Sequence, residues 1–399
     1  MPHTRTAGLV FHPPVRSRTP AQQAKDTHVA RIAKKWPIPH TRGTSASRGL
    51  ERRGNTCYRL STLQVLMHLP KFLNWILSHN VADATGNTVN GCSPATFATG
   101  FGCAACHIKA LVQSYWGEGN VVGGVPAQIL HNDSVMRDIN HMTNVMMGVP
   151  PGGPIPQEDA ELFYTQLLHE LDDSVNTLIP GITPWSDQYA ALFTIQRSTT
   201  RLCNTCNTPR TIPITVPSII ARQDIGFISI PINQHDHDSV SAAIHRHMQP
   251  SALGLLQCTT CNANQQFTDH HAIIAAPEYL RIKLNIVYHD AAGNVHKITN
   301  PIALDKTLDL TQYQTDRSTP LKYKLISVIQ HSGQGLQSGH YAATVKGRAG
   351  VAVVDDGVVR DVAERRLRDN PMVWGGAGKG MRFQAVVLMY VRTRNRELL

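Results

Sequence analysis

The sequence has no long apolar run. No stretch of its 399 residues approaches the ~20 apolar residues that a membrane-spanning helix needs. The N-terminus lacks the uninterrupted apolar segment of a signal peptide. Charged residues are few at 17%, while an apolar content of 42% is ordinary for a globular protein. Eight cysteines in a chain this long are too sparse for a disulfide scaffold, and two CxxC pairs suit a reducing compartment better. No internal repeat is evident. These absences predict a soluble intracellular protein, in cytoplasm or nucleus, with no membrane partner. The length fits one large domain with insertions, or two domains.

Acidic charge is scarce at the N-terminus. Of the net +10, nearly all lies ahead of residue 55, where eleven Lys and Arg face only Asp26 and Glu51. The remaining chain is close to neutral, so overall basicity gives no argument that the folded body binds nucleic acid. Residues 1–46 are rich in Pro, Arg, Thr, Ser and Ala and lack periodicity. They predict a disordered basic tail, because so little apolar surface cannot offset the entropy of ordering. Any nucleic-acid contact would belong to that tail.

The stretch Gly49 to Leu66, GLERRGNTCYRLSTLQVL, organises the chain. Its centre is Cys57, after the turn-prone run Gly54-Asn55-Thr56. Leu60, Leu63, Leu66 and Met67 recur at three- and four-residue steps and predict one apolar helix face. Pro70 predicts where that helix stops, since proline donates no backbone N–H and clashes with the preceding turn. Cys57 therefore falls near a helix start, where unpaired N–H groups and the helix dipole favour a thiolate. A cysteine there serves as a nucleophile or as an inert buried residue, and this stretch alone leaves both open.

Up to about Asp173 the pattern is mainly helical. Phe72 to Leu77, Cys103 to Trp116 and the segment after Gln157-Glu158-Asp159-Ala160-Glu161 are helix candidates, the last with acids near its start. After Pro184, short apolar runs alternate with turn residues and predict strands. They are Ala191 to Gln196, Phe227 to Ile232, Tyr279 to Tyr288, Tyr323 to Gln330, Tyr341 to Val345, Val351 to Val354 and Phe383 to Val391. A helical first third and a strand-rich remainder predict an α+β fold with a cleft between the two parts.

Three constellations carry chemistry. Cys203-Asn204-Thr205-Cys206 and Cys258-Thr259-Thr260-Cys261 each have the two-residue gap that points both sulfurs at one ion. Together they predict a tetrahedral zinc site of four cysteines, structural because four thiolates leave no position for water. Cys92, Cys103 and Cys106-His107 also offer three thiols and an imidazole. Their apolar, helical setting favours core packing over metal. Lastly, a Gly/Ser-rich loop from His331 leads to His340, which starts a strand, and Asp355 begins the turn after the next strand, fifteen residues on. In an antiparallel meander the start of one strand can neighbour the end of the next. Asp355 would then fix the His340 tautomer and leave its other nitrogen to a thiol.

These residues, in this order, resemble the ubiquitin-specific proteases. The pattern GL-xxx-GNTCY-xx-S-x-LQ-x-L, the QEDAE run, CxxC…CxxC, SGHYAATV, VVDD and the terminal AVVLMYVR span Arg48 to Arg392. The resemblance implies a papain-like cysteine protease within residues 47–395, with a helical thumb, a β-rich palm and zinc-bearing fingers inserted at about 195–275. It implies Cys57 as nucleophile, His340 as general base and Asp355 as its orienter. One structural zinc per chain would sit on Cys203, Cys206, Cys258 and Cys261. Gly333, Gly335, Ser338 and Gly339 would border a channel for ubiquitin's diglycine tail, where glycines let backbones approach closely. The implied partners are ubiquitin and ubiquitinated proteins, and the implied reaction is hydrolysis of the bond after ubiquitin's C-terminal glycine.

The chain departs from the family pattern in places. Arg52 stands where an asparagine commonly donates to the oxyanion, and one such donor is typically worth about a hundred- to a thousand-fold in turnover. The resemblance offers Arg52 itself and Asp356 as oxyanion residues. Arg59-Leu60 replaces Met-Asn, and Leu162 replaces a common glutamate. A weakly active ubiquitin-binding relative, or a protease for a ubiquitin-like modifier, are the alternatives that these departures imply.

Overall fold

The change of patterning along the sequence becomes a division in space. The computed structural model describes residues 18–37, 47–80, 91–93, 96, 100–117, 121–122, 125–126, 129, 133–175, 184–212, 227–232, 238–298, 302–333, 338–363, 377–378 and 381–394. The first region is built on helix α2 (Cys57–Met67), every residue of which is buried. Leu63, Leu66 and Met67 are fully enclosed, and complete burial of such a side chain stabilises by about 1.5–3 kcal/mol. Pro70 ends α2 and also opens α3 (Pro70–Leu77) as its first residue, a position whose N–H would have no helical partner anyway.

Around α2 lie α4 (Ala104–Trp116), α5 (Ser134–Met146), α6 (Ala160–Asp173) and α7 (Trp185–Phe193). Asp159 caps α6, its carboxylate accepting from the Glu161 N–H at 2.8 Å. Helix α7 corrects the expected strand from Ala191, because Ala191, Leu192 and Phe193 complete a helix. Trp185, Gln188, Tyr189 and Leu192, at three- and four-residue steps, are all buried, so a helical period outweighs the short apolar run. Trp185 stacks on Trp75 with ring centroids 4.0 Å apart.

The expected tail is corrected over residues 18–37. Helix α1 (Pro20–Ala30) forms there, with Thr19 as its cap, and it packs on α7. Asp26 accepts from Arg392 at 2.9 Å, Gln22 pairs with the Ala276 backbone at 2.8 Å, and Lys25 donates to Thr194 O at 2.8 Å. These contacts span hundreds of residues, so no local pattern announces them. Residues 1–17 and 38–46 lie outside the described set.

Among the described residues, the second half supplies two larger sheets, of four and eight strands, besides small two-stranded ones. The fingers consist of β1 (Gln196–Cys203), β2 (Pro209–Ile212), β4 (Ser251–Cys258) and β5 (Ala263–Ala275), in the order β2-β1-β5-β4. The palm contains β3 (Phe227–Pro231), β6 (Tyr279–Asn285), β7 (Thr307–Asp309), β8 (Lys322–Ser332), β9 (His340–Lys346), β10 (Val351–Asp355), β11 (Val358–Val362) and β12 (Gln384–Thr393). Its order is β11-β10-β9-β8-β12-β6-β3, with β7 on β8. Only β3 and β6 run parallel among these pairs. Helices and palm share one continuous core, whereas the fingers enclose little more than Cys203, Cys258 and Phe267.

Candidate active site and metal centres

Gly54 adopts φ +62°, the left-handed conformation that suits glycine, and turns the chain into α2. The Thr56 hydroxyl accepts from the Arg53 N–H at 3.0 Å. The Thr56 carbonyl accepts from Arg59 and Leu60 at 2.9 and 3.0 Å. Cys57 is thereby the first residue of α2 and 1% exposed. Upstream, the Gln64 amide donates to the Arg48 carbonyl at 2.7 Å, which ties the lead-in segment to the helix it precedes.

His340 opens β9, opposite Ser332 at the end of β8. Asp355 closes β10 and pairs with Val358 across a two-residue turn, in which Asp356 takes φ +49°. His340 Nε2 lies 2.5 Å from Asp355 Oδ1. The turn also rests on the segment ahead of Cys57, where the Leu50 N–H donates to the Asp356 carbonyl at 2.9 Å. A side chain at Gly49 would place its Cβ 2.2 Å from the Gly357 oxygen. Backbone contact at glycine therefore brings the acid-bearing turn to the thiol-bearing helix.

The structure brings Cys57, His340 and Asp355 together. The Asp355 hydrogen bond, and after it the one with Cys57, raise His340 to about 10. His340 in turn holds Asp355 below the usual carboxylate range. With Nε2 facing Asp355, Nδ1 is left for the thiol. Arg52 shares that corner: its Nη1 lies 3.1 Å from His340 Nδ1 and 3.5 Å from Asp356 Oδ2, and its Nε donates to Gly54 O at 2.7 Å. Burial raises Asp356, and its Oδ1 is buried without a hydrogen-bond partner among the described residues.

Beside this site is a cleft of about 890 Å³, lined by Asn55, Gln157, Asp159, Lys283, His331 and Ser338 among others. Gly339 fits only as glycine, since a Cβ would meet the His331 ring and the Ser332 oxygen at 2.2 Å. Gln157 donates to its carbonyl at 3.1 Å. Gly333, at φ +136°, accepts from Lys297 at 2.8 Å. Gly335 lies outside the described residues.

The ligand atoms of Cys203, Cys206, Cys258 and Cys261 all lie within 4.8 Å of one another. The sulfurs of Cys203 and Cys261 are 3.9 Å apart, and those of Cys206 and Cys258 3.7 Å. A tetrahedron with Zn–S bonds of about 2.3 Å has edges near ~3.8 Å, so this set fits the ion. Asn207 and Asn262, at φ +54° and +50°, shape the two turns.

Cys92, Cys103 and Cys106 also meet, and here the expected imidazole is corrected. His107 Nε2 bonds the Phe101 carbonyl at 2.7 Å, and His79 takes the place beside the sulfurs. Twelve residues lie between His79 and Cys92, while His107 directly follows Cys106 in the sequence and so is the imidazole that local spacing suggests.

Comparison with known proteins gives one answer. The sequence profile described as ubiquitin carboxyl-terminal hydrolase matches residues 48–390. Ubiquitin carboxyl-terminal hydrolase 36 of Drosophila melanogaster is 26% identical over 83% of this chain, and the aligned region is 29% of that relative. The mouse ubiquitin carboxyl-terminal hydrolase 17-like protein A is 24% identical over 78% of this chain and 52% of its own length. The chain thus spans about three tenths of the fly relative and about half of the mouse one. Among solved structures, the SAGA DUB module bound to monoubiquitin superposes with a TM-score of 0.66 at 19% identity, covering 92% of this chain and 74% of that one. At that identity the likeness establishes the fold alone, the mixed α+β architecture described above. On the profile match across most of its length, the chain belongs to the ubiquitin carboxyl-terminal hydrolase family.

Proposed function

We propose that the chain is a deubiquitinating cysteine protease that hydrolyses the isopeptide or peptide bond after ubiquitin's C-terminal glycine. The observation that carries this reading is the Cys57–His340–Asp355 line on the family's frame. The cleft beside it has the backbone-lined, glycine-bordered character suited to an extended diglycine tail. Solved structures of similar fold hold ubiquitin or ubiquitin aldehyde.

In this scheme Cys57 passes its proton to His340 Nδ1 and its sulfur attacks the glycine carbonyl carbon. Asp355 keeps the other ring proton on Nε2 and stabilises the imidazolium. The tetrahedral intermediate collapses, His340 returns a proton to the departing lysine amine, and a thioester remains. Water, giving its proton to His340, then attacks the thioester and releases the ubiquitin carboxylate and the free thiol.

Arg52 takes a part in this scheme. Its guanidinium lies against Nδ1 and can donate to it only while that nitrogen is unprotonated; against the imidazolium that the raised value of His340 favours, it has no acceptor there. It is then available to the oxyanion alongside the Cys57 backbone N–H, with Asp356 anchoring it from behind. The four fingers cysteines would hold a structural Zn²⁺, which when bound ties two β-turns together and leaves no open position for chemistry.

The test is reaction with ubiquitin carrying a C-terminal electrophile. An adduct on wild type and none on Cys57→Ala is expected. Arg52→Asn separates the roles of Arg52: slower labelling marks an oxyanion donor, and faster labelling marks a group that obstructs Nδ1. No adduct with ubiquitin binding retained would instead make the chain a ubiquitin-binding module of this family.

A further inference from the structure

We propose that Arg52 turns the catalytic corner into a carboxylate-binding site, which retains free ubiquitin by its newly formed C-terminus and so lets the product restrain the enzyme. This rests on the protease reading given above. Three contacts place the guanidinium. Its Nε donates to the Gly54 carbonyl at 2.7 Å, its Nη1 lies 3.1 Å from His340 Nδ1, and the same Nη1 is 3.5 Å from Asp356 Oδ2. Gly54 is the left-handed residue that turns the chain into α2, so Arg52 is tied to the loop that presents Cys57. Its side chain is 39% exposed and open to what occupies the corner.

Donors outnumber acceptors there. A ring nitrogen carries one hydrogen or one lone pair, never both. Once the ring is an imidazolium, as its raised value favours, the facing Arg52 N–H meets no lone pair on Nδ1. Asp356 answers the guanidinium only in part, because 3.5 Å exceeds the about 2.7–2.9 Å of a charged hydrogen bond. An anionic oxygen beside Nδ1 would meet both donors at once.

The reaction decides which anion arrives. In the bound amide, the place beside Nδ1 holds the leaving nitrogen, whose own hydrogen makes it a poor neighbour for a guanidinium. After hydrolysis that place holds the oxygen that came from water, and the glycine has become a carboxylate. Only the product therefore offers an acceptor to the Arg52–His340 pair. Guanidinium and carboxylate are both planar and match as a fork, in bonds about twice as strong as neutral ones. An asparagine at this position would offer a neutral amide alone. The local charges agree. Arg360 pairs with Val353, two residues before Asp355, and so shares the sheet face of Asp355; its charge and that of Arg52 both act on that carboxylate. Burial pushes Asp356 toward its protonated form, which weakens its repulsion of an incoming carboxylate. The guanidinium likewise offsets the repulsion between a Cys57 thiolate and the product.

The experiment compares two forms of ubiquitin, native and with its C-terminal carboxylate converted to the primary amide. Binding to the full chain is measured by calorimetry in a Cys57→Ala background, where the amide is not turned over. Native ubiquitin is expected to bind about tenfold more tightly than the amide. Arg52→Asn should erase that margin and leave amide binding within about twofold, while Arg52→Lys, with charge but no fork, should fall between. With the thiol present, free ubiquitin should inhibit hydrolysis of a ubiquitin C-terminal fluorogenic amide, and Arg52→Asn should raise its inhibition constant by about tenfold. Equal affinity for the two forms would overturn the site even in a chain that hydrolyses ubiquitin amides. So would a preference for the carboxylate that survives Arg52→Asn, which would belong to His340 and the start of α2. An Arg52-dependent preference in a chain that hydrolyses nothing would uphold the site and sink the protease reading. Binding of neither form would sink both.

Discussion

The body and the fingers are held together by different means. In the body, helices and palm strands share an apolar core whose members run from Ile32 to Tyr390. Ion pairs such as Lys71–Glu278, 2.8 Å apart and 7% exposed on both sides, join its parts. In the fingers, β4 shows a largely exposed face, with Leu255 65% exposed, and among the described residues only Phe267 and the half-buried Leu253 pack with the cysteines. A sheet with so little apolar burial gets its stability elsewhere. The contrast predicts unequal weight for the two cysteine clusters: large at the fingertips, where little apolar surface is buried, and smaller in the body.

The largest expected effect follows directly. In Cys203→Ser with Cys258→Ser, amide exchange in β1 and β5 should speed up by orders of magnitude, since metal binding is worth ~10–16 kcal/mol in small zinc modules. The body should keep its protection. Tryptophan fluorescence should also stay put, because Trp36, Trp75, Trp116 and Trp185 pack in the body and residues 196–275 contain none. Joint loss of protection in both regions would break the comparison.

The next effect belongs to the body alone. Asp355 raises His340 above its unfolded value, so the stability this histidine contributes is fully present below about pH 6.5. It fades as pH rises through the folded value of about 10. Hydrolysis that needs the imidazolium should show an alkaline limb near that pH. Asp355→Asn should move the limb down toward the ordinary histidine range and cut kcat by ~10⁴. The fingers variant should leave the limb where it is. A limb that ignores Asp355→Asn would show that the hydrogen bond does not set the imidazole's charge.

The smallest effect tests the fingertip turns. Asn262→Gly relieves a left-handed asparagine at φ +50°, and the change should shift stability by no more than about 1 kcal/mol in either direction. It is read as the midpoint of zinc-dependent folding of the fingers. A larger loss would mean that the Asn262 side chain, and not only its backbone, supports the site.

What the sequence discloses follows from separation along the chain. The start of α2 at Cys57, the paired CxxC turns and the short step from His340 to Asp355 are local patterns, each readable within a short window. His79 is not, because its partners lie on other segments and His107 is a nearer decoy. The order in α1 is not either: Gln22, Lys25 and Asp26 read as polar surface, and only Ala276, Thr194 and Arg392 give them partners. Arg52 reads as a lost asparagine, whereas the fold sets it against His340 Nδ1. Ala191 to Phe193 failed for another reason, since so short an apolar run fits helix and strand alike.

The meeting of Gly49 with Gly357 has a consequence for synthesis. The thiol and its histidine are 283 residues apart in the sequence, from 57 to 340, and the strand that seats β8, β12, begins later still, at Gln384. Closing so large a loop is slow and falls late in folding. A ribosome-bound fragment that exposes Cys57 without β8, β9 and β10 thus has no imidazole to activate the thiol, which stays an ordinary cysteine until those strands are made.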